Sequence, residues 1–240
     1  EMIQWSSPKP QNGDWHIGRG VAIIMQKSGI PDIDQANCMI KLESDGTFIV
    51  HSGGADIGTG LDTVVTKLAA EVLHCPPQDV HVISGDTDHA LFDKGAYASS
   101  CTCFSGNAAR LAAENLREKI LFHGAQILGE PVADVQLATP GVVRGKKGEV
   151  SFGEIAHKGE TGTGFGSLVG TGSYITPDFA FPYGANFAEV AVNTRTGEIR
   201  LDKFYALLDC GTPVNPELAL GQIYGATLRA IGHSMSEEII

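Results

Sequence analysis

The stretch GAYASSCTCFSGNAA, residues 95–109, sets Ala96, Ala98, Ser99, Ser100, Cys101, Thr102 and Cys103 directly ahead of a long helical pattern. Seven small, hydroxyl or thiol side chains in so short a space admit two readings. In one, Ser99, Ser100 and Thr102 cap the helix, their oxygens accepting its orphaned amides, while Gly106 and Ala108 pack closely. In the other, something large and anionic lies flush against bare backbone, drawn by the helix N-terminus. Caps account for two or three such residues, not seven. The helix is read over Phe104–Leu128 from its Ala, Leu, Glu and Arg content.

Upstream, Ala36–Glu43 and Thr47–Ser52 alternate in polarity around Ser44-Asp45-Gly46, which predicts a hairpin. Leu61–His74 has apolar residues at 61, 64, 65, 68, 69, 72 and 73, a helical spacing that Pro76 and Pro77 stop. Val80–Ser84 reads as a short buried strand and Gly20–Met25 as another, whereas residues 1–18 read as an extended lead-in. Downstream, Val135–Arg144 and Glu149–Phe152 form a small β unit. Residues 159–186, rich in Gly, Thr and Pro, are too long for a plain connection and so are either functional or packed on another chain. A second hairpin follows at Asn186–Asn193 and Glu198–Leu208, then a helix over Glu217–Met235 with small residues at Gly221, Gly225, Ala226, Ala230 and Gly232. The expected fold class is α+β, with two similar hairpin-plus-helix halves at 19–158 and 159–240.

Composition narrows the function. A net charge of −11 over 240 residues argues against a nucleic-acid partner. No run approaches the ~18–20 apolar residues of a membrane span. Five cysteines, Cys38, Cys75, Cys101, Cys103 and Cys210, show no CxxC spacing, so reduced thiols in a cytoplasmic setting are expected. The Cys101-Thr102-Cys103 pair lacks further metal ligands and reads as packed or capping thiols. The glycines of GGADIGTGLDT (53–63) suit either turn chemistry or a phosphate cradle, without the Lys of a Walker loop. Asp209–Pro216 is turn chemistry first, and Gln222 is a neutral amide among small residues that suits either a tight cleft or solvent. The eight histidines form no HxH or HExxH pattern.

Seven segments in register carry a resemblance: GRGVAIIMQKSGI (18–30), HSGGADIGTGLDT (51–63), GDTD (85–88), AYASSCTCFSGNAA (96–109), YGANFAEVAVNTRTGEIRL (183–201), DCGTPVNP (209–216) and GQIYGATLRAIGHSMSEE (221–238). The chain resembles the C-terminal molybdopterin-binding domain of the xanthine dehydrogenase / aldehyde oxidase family of molybdenum hydroxylases. That resemblance implies part of a larger molybdopterin-binding domain. It implies that Ile57, Gly58 and Thr59 form one cofactor loop and that Ala98, Ser99, Ser100 and Cys101 form the cradle. Gln222 would then hydrogen-bond the pterin, and Tyr97 would narrow or line the substrate pocket. Thr59 stands where many members carry Gln, a shorter reach toward the pterin.

The implied cofactor is molybdopterin with molybdenum, as such or as its cytosine dinucleotide, with no direct metal ligand from this chain. The implied reaction is hydroxylation of an N-heteroaromatic compound or aldehyde with oxygen from water. Iron–sulfur clusters and FAD are expected only on other domains or subunits, which with the remaining half of the molybdenum domain are the implied partners. No catalytic residue is assigned: the general-base glutamate is expected beyond the chain end, and Glu237 and Glu238 match helix-end acids. The isolated chain is therefore expected to be inactive. The competing reading is a non-catalytic scaffold derived from the same family.

Overall fold

The computed structural model describes residues 13–161 and 164–240. Walking along the chain, the strands and helices are β1 (Trp15–Met25), β2 (Ala36–Leu42), β3 (Phe48–Ser52), α1 (Leu61–Leu73), β4 (Val80–Ser84) and α2 (Cys101–Leu128). Then come β5 (Gln136–Ala138), β6 (Val142–Arg144), β7 (Glu149–Ser151), α3 (Phe152–Glu160), β8 (Val169–Tyr174), β9 (Tyr183–Asn193), β10 (Ile199–Asp209) and α4 (Pro216–Met235). The α+β class stands. Two compact units divide the described residues, 27–161 with 164–180 in one and 13–26 with 181–240 in the other.

In the unit of residues 27–180, four strands lie in the order β4-β3-β2-β8. β2 and β3 form the antiparallel hairpin that Asp45-Gly46 predicts, with Gly46 at φ 91° and the Asp45 carboxylate accepting from the Thr47 amide. β4 runs parallel to β3, the two joined through α1. Alternation along β2 buries Ala36, Cys38, Ile40 and Leu42, and these join Val65, Ala69 and Leu73 of α1 and Ala108, Ala112 and Leu116 of α2 in one core. The core extends to Val143 of the β5-β6-β7 sheet, while Phe152 at the start of α3 meets Phe48 edge to face at 5.7 Å. A capping box between Ser151 and Glu154 starts α3, a helix absent from the sequence-based expectation.

The 159–186 segment is corrected. It holds β8, which pairs antiparallel with β2 and lies under α2. Its glycines are the means: a Cβ at Gly170 would lie 2.2 Å from the Ala112 carbonyl oxygen, and one at Gly172 would lie 2.3 Å from that of Ala108. Side chains there would lift the helix off the sheet.

In the other unit, β9 is the central strand between β1 and β10, and α4 follows β10. β1 begins at Trp15, within the expected lead-in, because Trp15 to Met25 pair in unbroken register with Asn193 to Tyr183. Residues 1–12 of that lead-in lie outside the described residues. The expected boundary at 158/159 cuts across the observed division, since β1 pairs with β9 while β8 completes the earlier sheet. Arg19 and Glu189 face each other across β1 and β9 at 2.8 Å, with the Glu189 side chain buried.

Candidate functional site

Two neighbouring loops lead into the N-termini of α1 and α2. Residues 53–60 join β3 to α1, and residues 85–100 join β4 to α2. They touch where Gly53 sits against Leu91 and Asp93, and Gly54 sits against Ser105 of α2; a Cβ on Gly53 would fall 2.2 Å from the Leu91 carbonyl oxygen. Ile57–Thr59 and Ala98–Ser100 thus belong to adjoining loops of one unit, with Cys101 opening α2.

Their chemistry differs. In the first loop the backbone turns inward on Asp56, whose carboxylate accepts from the amides of Gly58 at 2.9 Å, Gly60 at 3.1 Å and Asp62 at 3.3 Å. Desolvation pushes the Asp56 carboxyl up, but the amides of Gly58, Gly60, Asp62 and Thr59 together outweigh it and hold it below the usual carboxylate range. The N-cap, Gly60, is left-handed at φ 84° and has no side-chain cap of its own; Asp56 performs that service from four residues earlier. A negative charge already occupies the dipole end of α1. Ile57, Gly58 and Thr59 form the exposed outer rim, with Ile57 68% exposed. Two buried polar atoms at the ends of this segment, His51 Nδ1 and Asp62 Oδ1, lack a hydrogen-bond partner in the protein.

In the second loop the opposite holds. Asp93 accepts from the Gly95 amide and from the Ser105 hydroxyl, both at 2.8 Å, and so ties the loop to α2. Tyr97 donates its hydroxyl to Asp34. Ala98 and Ser99 then both take positive φ, 49° and 55°, an unfavourable conformation for residues with a Cβ. Ser100 is the N-cap of α2, yet its side chain accepts no helix amide; the hydroxyl instead donates to the Tyr97 carbonyl at 2.8 Å. The expectation that Ser99, Ser100 and Thr102 cap the helix is therefore not met at Ser100, whose hydroxyl faces back into the loop. No acidic residue lies in the first turn of α2. A 28-residue helix thus starts behind a surface of exposed Ala98 and Ser99, with no cap from the Ser100 side chain. That is a ready anion site.

The thiols bear on this surface. Burial raises the Cys101 thiol, with Asp93 adding to the rise, and burial raises that of Cys103. Both are neutral at pH 7 and pack against the core, which matches the packed-thiol reading. Gly106 is not part of the cradle: a Cβ there would meet Leu68 at 3.1 Å, so it spaces α2 from α1. Bonding to Asp34 also raises the Tyr97 phenol, so Tyr97 offers a ring 39% exposed rather than a free hydroxyl.

Gln222 lies in the other unit, exposed on α4 beside Gly221, Gly225, Ala226 and Arg229 in an open groove of about 750 Å³. Asn215 caps α4 by accepting from Leu218 at 3.3 Å, and Asp209 accepts from Gly211 at 3.0 Å, so the 209–216 segment is turn chemistry. Glu237 folds back on its helix end, its amide donating to the Gly232 carbonyl at 3.0 Å. Asp34, Asp56 and Asp93 are the residues that sequence reasoning missed. The signal for two was present: an Asp followed two residues later by Gly is an Asx-turn pattern.

With this geometry in hand, the class follows. The chain matches the molybdopterin cofactor-binding domain family over residues 1–240 and belongs to it. It is 99% identical over 240 residues to the "Probable hypoxanthine oxidase XdhD" of Escherichia coli (strain K12), covering all of this chain and 25% of that protein. It is 32% identical over 254 residues to the "Putative xanthine dehydrogenase molybdenum-binding subunit XdhA" of the same organism, covering 100% of this chain and 33% of that one. Among solved structures, quinoline 2-oxidoreductase from Pseudomonas putida 86 superposes with a TM-score of 0.84 at 27% identity, over 95% of this chain and 31% of that chain. CO dehydrogenase from Oligotropha carboxidovorans does so with a TM-score of 0.84 at 25% identity, over 95% and 30%. The chain spans a quarter to a third of the length of these curated relatives. Among the described residues, no helix is long and apolar enough to cross a membrane.

Proposed function

We propose that this chain supplies the backbone cradle for molybdopterin in a longer molybdenum hydroxylase, as its C-terminal molybdopterin-binding portion. The observation that carries the reading is the N-terminus of α2, without a cap from the Ser100 side chain, free of acid in its first turn and fronted by the left-handed Ala98–Ser99 corner. Ala98 and Ser99 support it with their exposed surface, while buried Ser100 and half-buried Cys101 are assigned to the cradle through their backbone. Their small side chains let a flat heterocycle approach the backbone, and the helix dipole favours its anionic phosphate. When bound, the cofactor supplies the two-electron oxidation, and the protein supplies position and electrostatics.

Ile57, Gly58 and Thr59 contribute differently. Asp56 holds the amides of Gly58 and Gly60, so this loop offers a rim that shapes the site more than a set of donors. Gln222 is assigned to the pterin as a side-chain amide on exposed α4. Tyr97, its hydroxyl held by Asp34, lines the substrate pocket with its ring, which suits stacking on an N-heteroaromatic substrate. An aldehyde is the other substrate class, and oxygen comes from water. The general base, the remaining half of the molybdenum domain, iron–sulfur clusters and FAD are assigned to other parts of the assembly. The cofactor is molybdopterin or its cytosine dinucleotide. All five thiols are free, which supports a reducing, cytoplasmic setting.

A second reading, a scaffold without cofactor, is favoured by one observation only, the self-satisfied loop around Asp56. Molybdenum and pterin content separate the two. The chain is purified alone and, separately, as part of the longer protein with its neighbouring subunits. The cradle reading expects no cofactor alone and stoichiometric cofactor in the assembly. An assembled protein devoid of both would leave the scaffold.

A further inference from the structure

The 92–98 segment is not a free loop. Four ties fasten it along its length to residues 29–37: the Asn37 amide to the Phe92 carbonyl at 2.5 Å, the Lys94 amide to the Gln35 carbonyl at 3.1 Å, the Tyr97 hydroxyl to Asp34, and the Gly29 amide to the Ala98 carbonyl at 2.8 Å. The order is antiparallel, 37 to 92 through 29 to 98. Gly29 also packs directly on Phe104 in the first turn of α2, where a Cβ would fall 2.3 Å from the ring.

At the centre of this brace is Asp34, 1% exposed. One carboxylate oxygen accepts from the Ile30 amide at 2.7 Å and closes the 30–34 turn; the other accepts from Tyr97. A buried carboxylate held by two donors is costly to leave half-satisfied, so its geometry is stiff. The residues it stiffens next are Ala98 and Ser99, whose positive φ needs surroundings that impose it.

We propose that Asp34 is a positioning residue: acting through the Tyr97 hydroxyl, it holds the Ala98–Ser99 corner in the conformation that receives the cofactor. The inference rests on the cradle reading above. Asp34 touches neither cofactor nor substrate. It sets the height and tilt of Ala98 and Ser99 relative to the first turn of α2, with the Gly29–Phe104 contact as the fulcrum. A donor to a carboxylate at this place contributes enough that its loss shifts an equilibrium by about tenfold or more.

The test uses the longer protein that carries this chain, with four forms: wild type, Tyr97→Phe, Asp34→Asn and the double variant. The rate at which pterin fluorescence is released, the retained molybdenum, and the tyrosinate absorbance titration are measured on each. Tyr97→Phe keeps the ring and leaves the core untouched, so it remains informative if Asp34→Asn fails to fold. The expected result is about tenfold faster pterin release in each single variant and no further increase in the double, because both remove one interaction. In Asp34→Asn the Tyr97 titration, identified as the one lost in Tyr97→Phe, should move back toward the ordinary phenol range. Wild-type retention in Tyr97→Phe, or effects that add in the double variant, would overturn the proposal. A wild-type protein without pterin would overturn the cradle reading instead, and the tyrosine titration would still decide whether Asp34 holds Tyr97.

Discussion

Replacing Gly172 with Ala tests how firmly β8 sets the helix that carries the cradle. The added Cβ would lie 2.3 Å from the Ala108 carbonyl oxygen and 2.4 Å from the Ala112 nitrogen, where ordinary contact begins near 3.4 Å. Both obstacles are backbone, so no rotamer change relieves them. The helix must retreat by about 1 Å or the strand must bend, at about 1–3 kcal/mol for overpacking a tight core. Each 1.4 kcal/mol is about tenfold in an opening equilibrium, so amide exchange in the first half of α2 should accelerate by about 5- to 140-fold. Hydrogen-exchange mass spectrometry on peptides spanning Cys101–Ala112 reads this directly. Thr171→Ala, exposed on the opposite face of β8, is the control and should stay within about 0.5 kcal/mol. Unchanged exchange in α2 of Gly172→Ala would refute the claim that these glycines set the helix height.

Three further outcomes follow from the site. Asp56→Ala removes the acceptor for the amides of Gly58, Gly60 and Asp62 and should cost about 1 kcal/mol in local stability of α1, read by exchange at Leu61–Val65. Because the Asp56 carboxyl is held below its ordinary value of 3.8, its contribution is complete above that value and is lost as the pH falls through the lower folded one. Exchange at the start of α1 should therefore rise below about pH 4 in the wild type but not in Asp56→Ala; equal acid sensitivity in both would contradict this. Thiol labelling near neutral pH should modify exposed Cys210 first and leave Cys38 and Cys75, both pushed up to about 12 chiefly by burial, unmodified until the unit opens. Gly106→Val should loosen α1 against α2 through Leu68 and accelerate exchange in both helices, whatever the cofactor content; loss of cofactor with unchanged exchange would instead place Gly106 in the cradle.

Much of the fold was legible because its elements obey simple periodicities. The hairpin at Asp45-Gly46, the helix at Leu61–Leu73 and the hairpin of β9 and β10 each follow from alternation or from apolar spacing next to a turn signal. β8 was not legible for a physical reason. Gly170 and Gly172 of its VGTGSY leave the face that α2 covers without side chains until Tyr174, so the pattern that marks a strand is missing where burial is tightest. β1 began earlier than its apolar part because pairing with β9, not hydrophobicity, defines its polar end. At the site, of the small residues at 96–103 only Ala98 and Ser99 form an exposed corner ahead of α2, and serine content alone implied capping whereas Ser100 points the other way. How α1 is capped depended on Asp56, whose three amide bonds come together only once the glycines at 58 and 60 take left-handed φ.

The most direct test is molybdenum and pterin content of the longer protein, wild type against Ala98→Trp. An indole at φ 49°, on the exposed corner before α2, covers the surface assigned to the pterin without entering the core. The account expects stoichiometric cofactor in the wild type and near-complete loss in Ala98→Trp, with exchange in α2 unchanged. Full cofactor content in Ala98→Trp would contradict it.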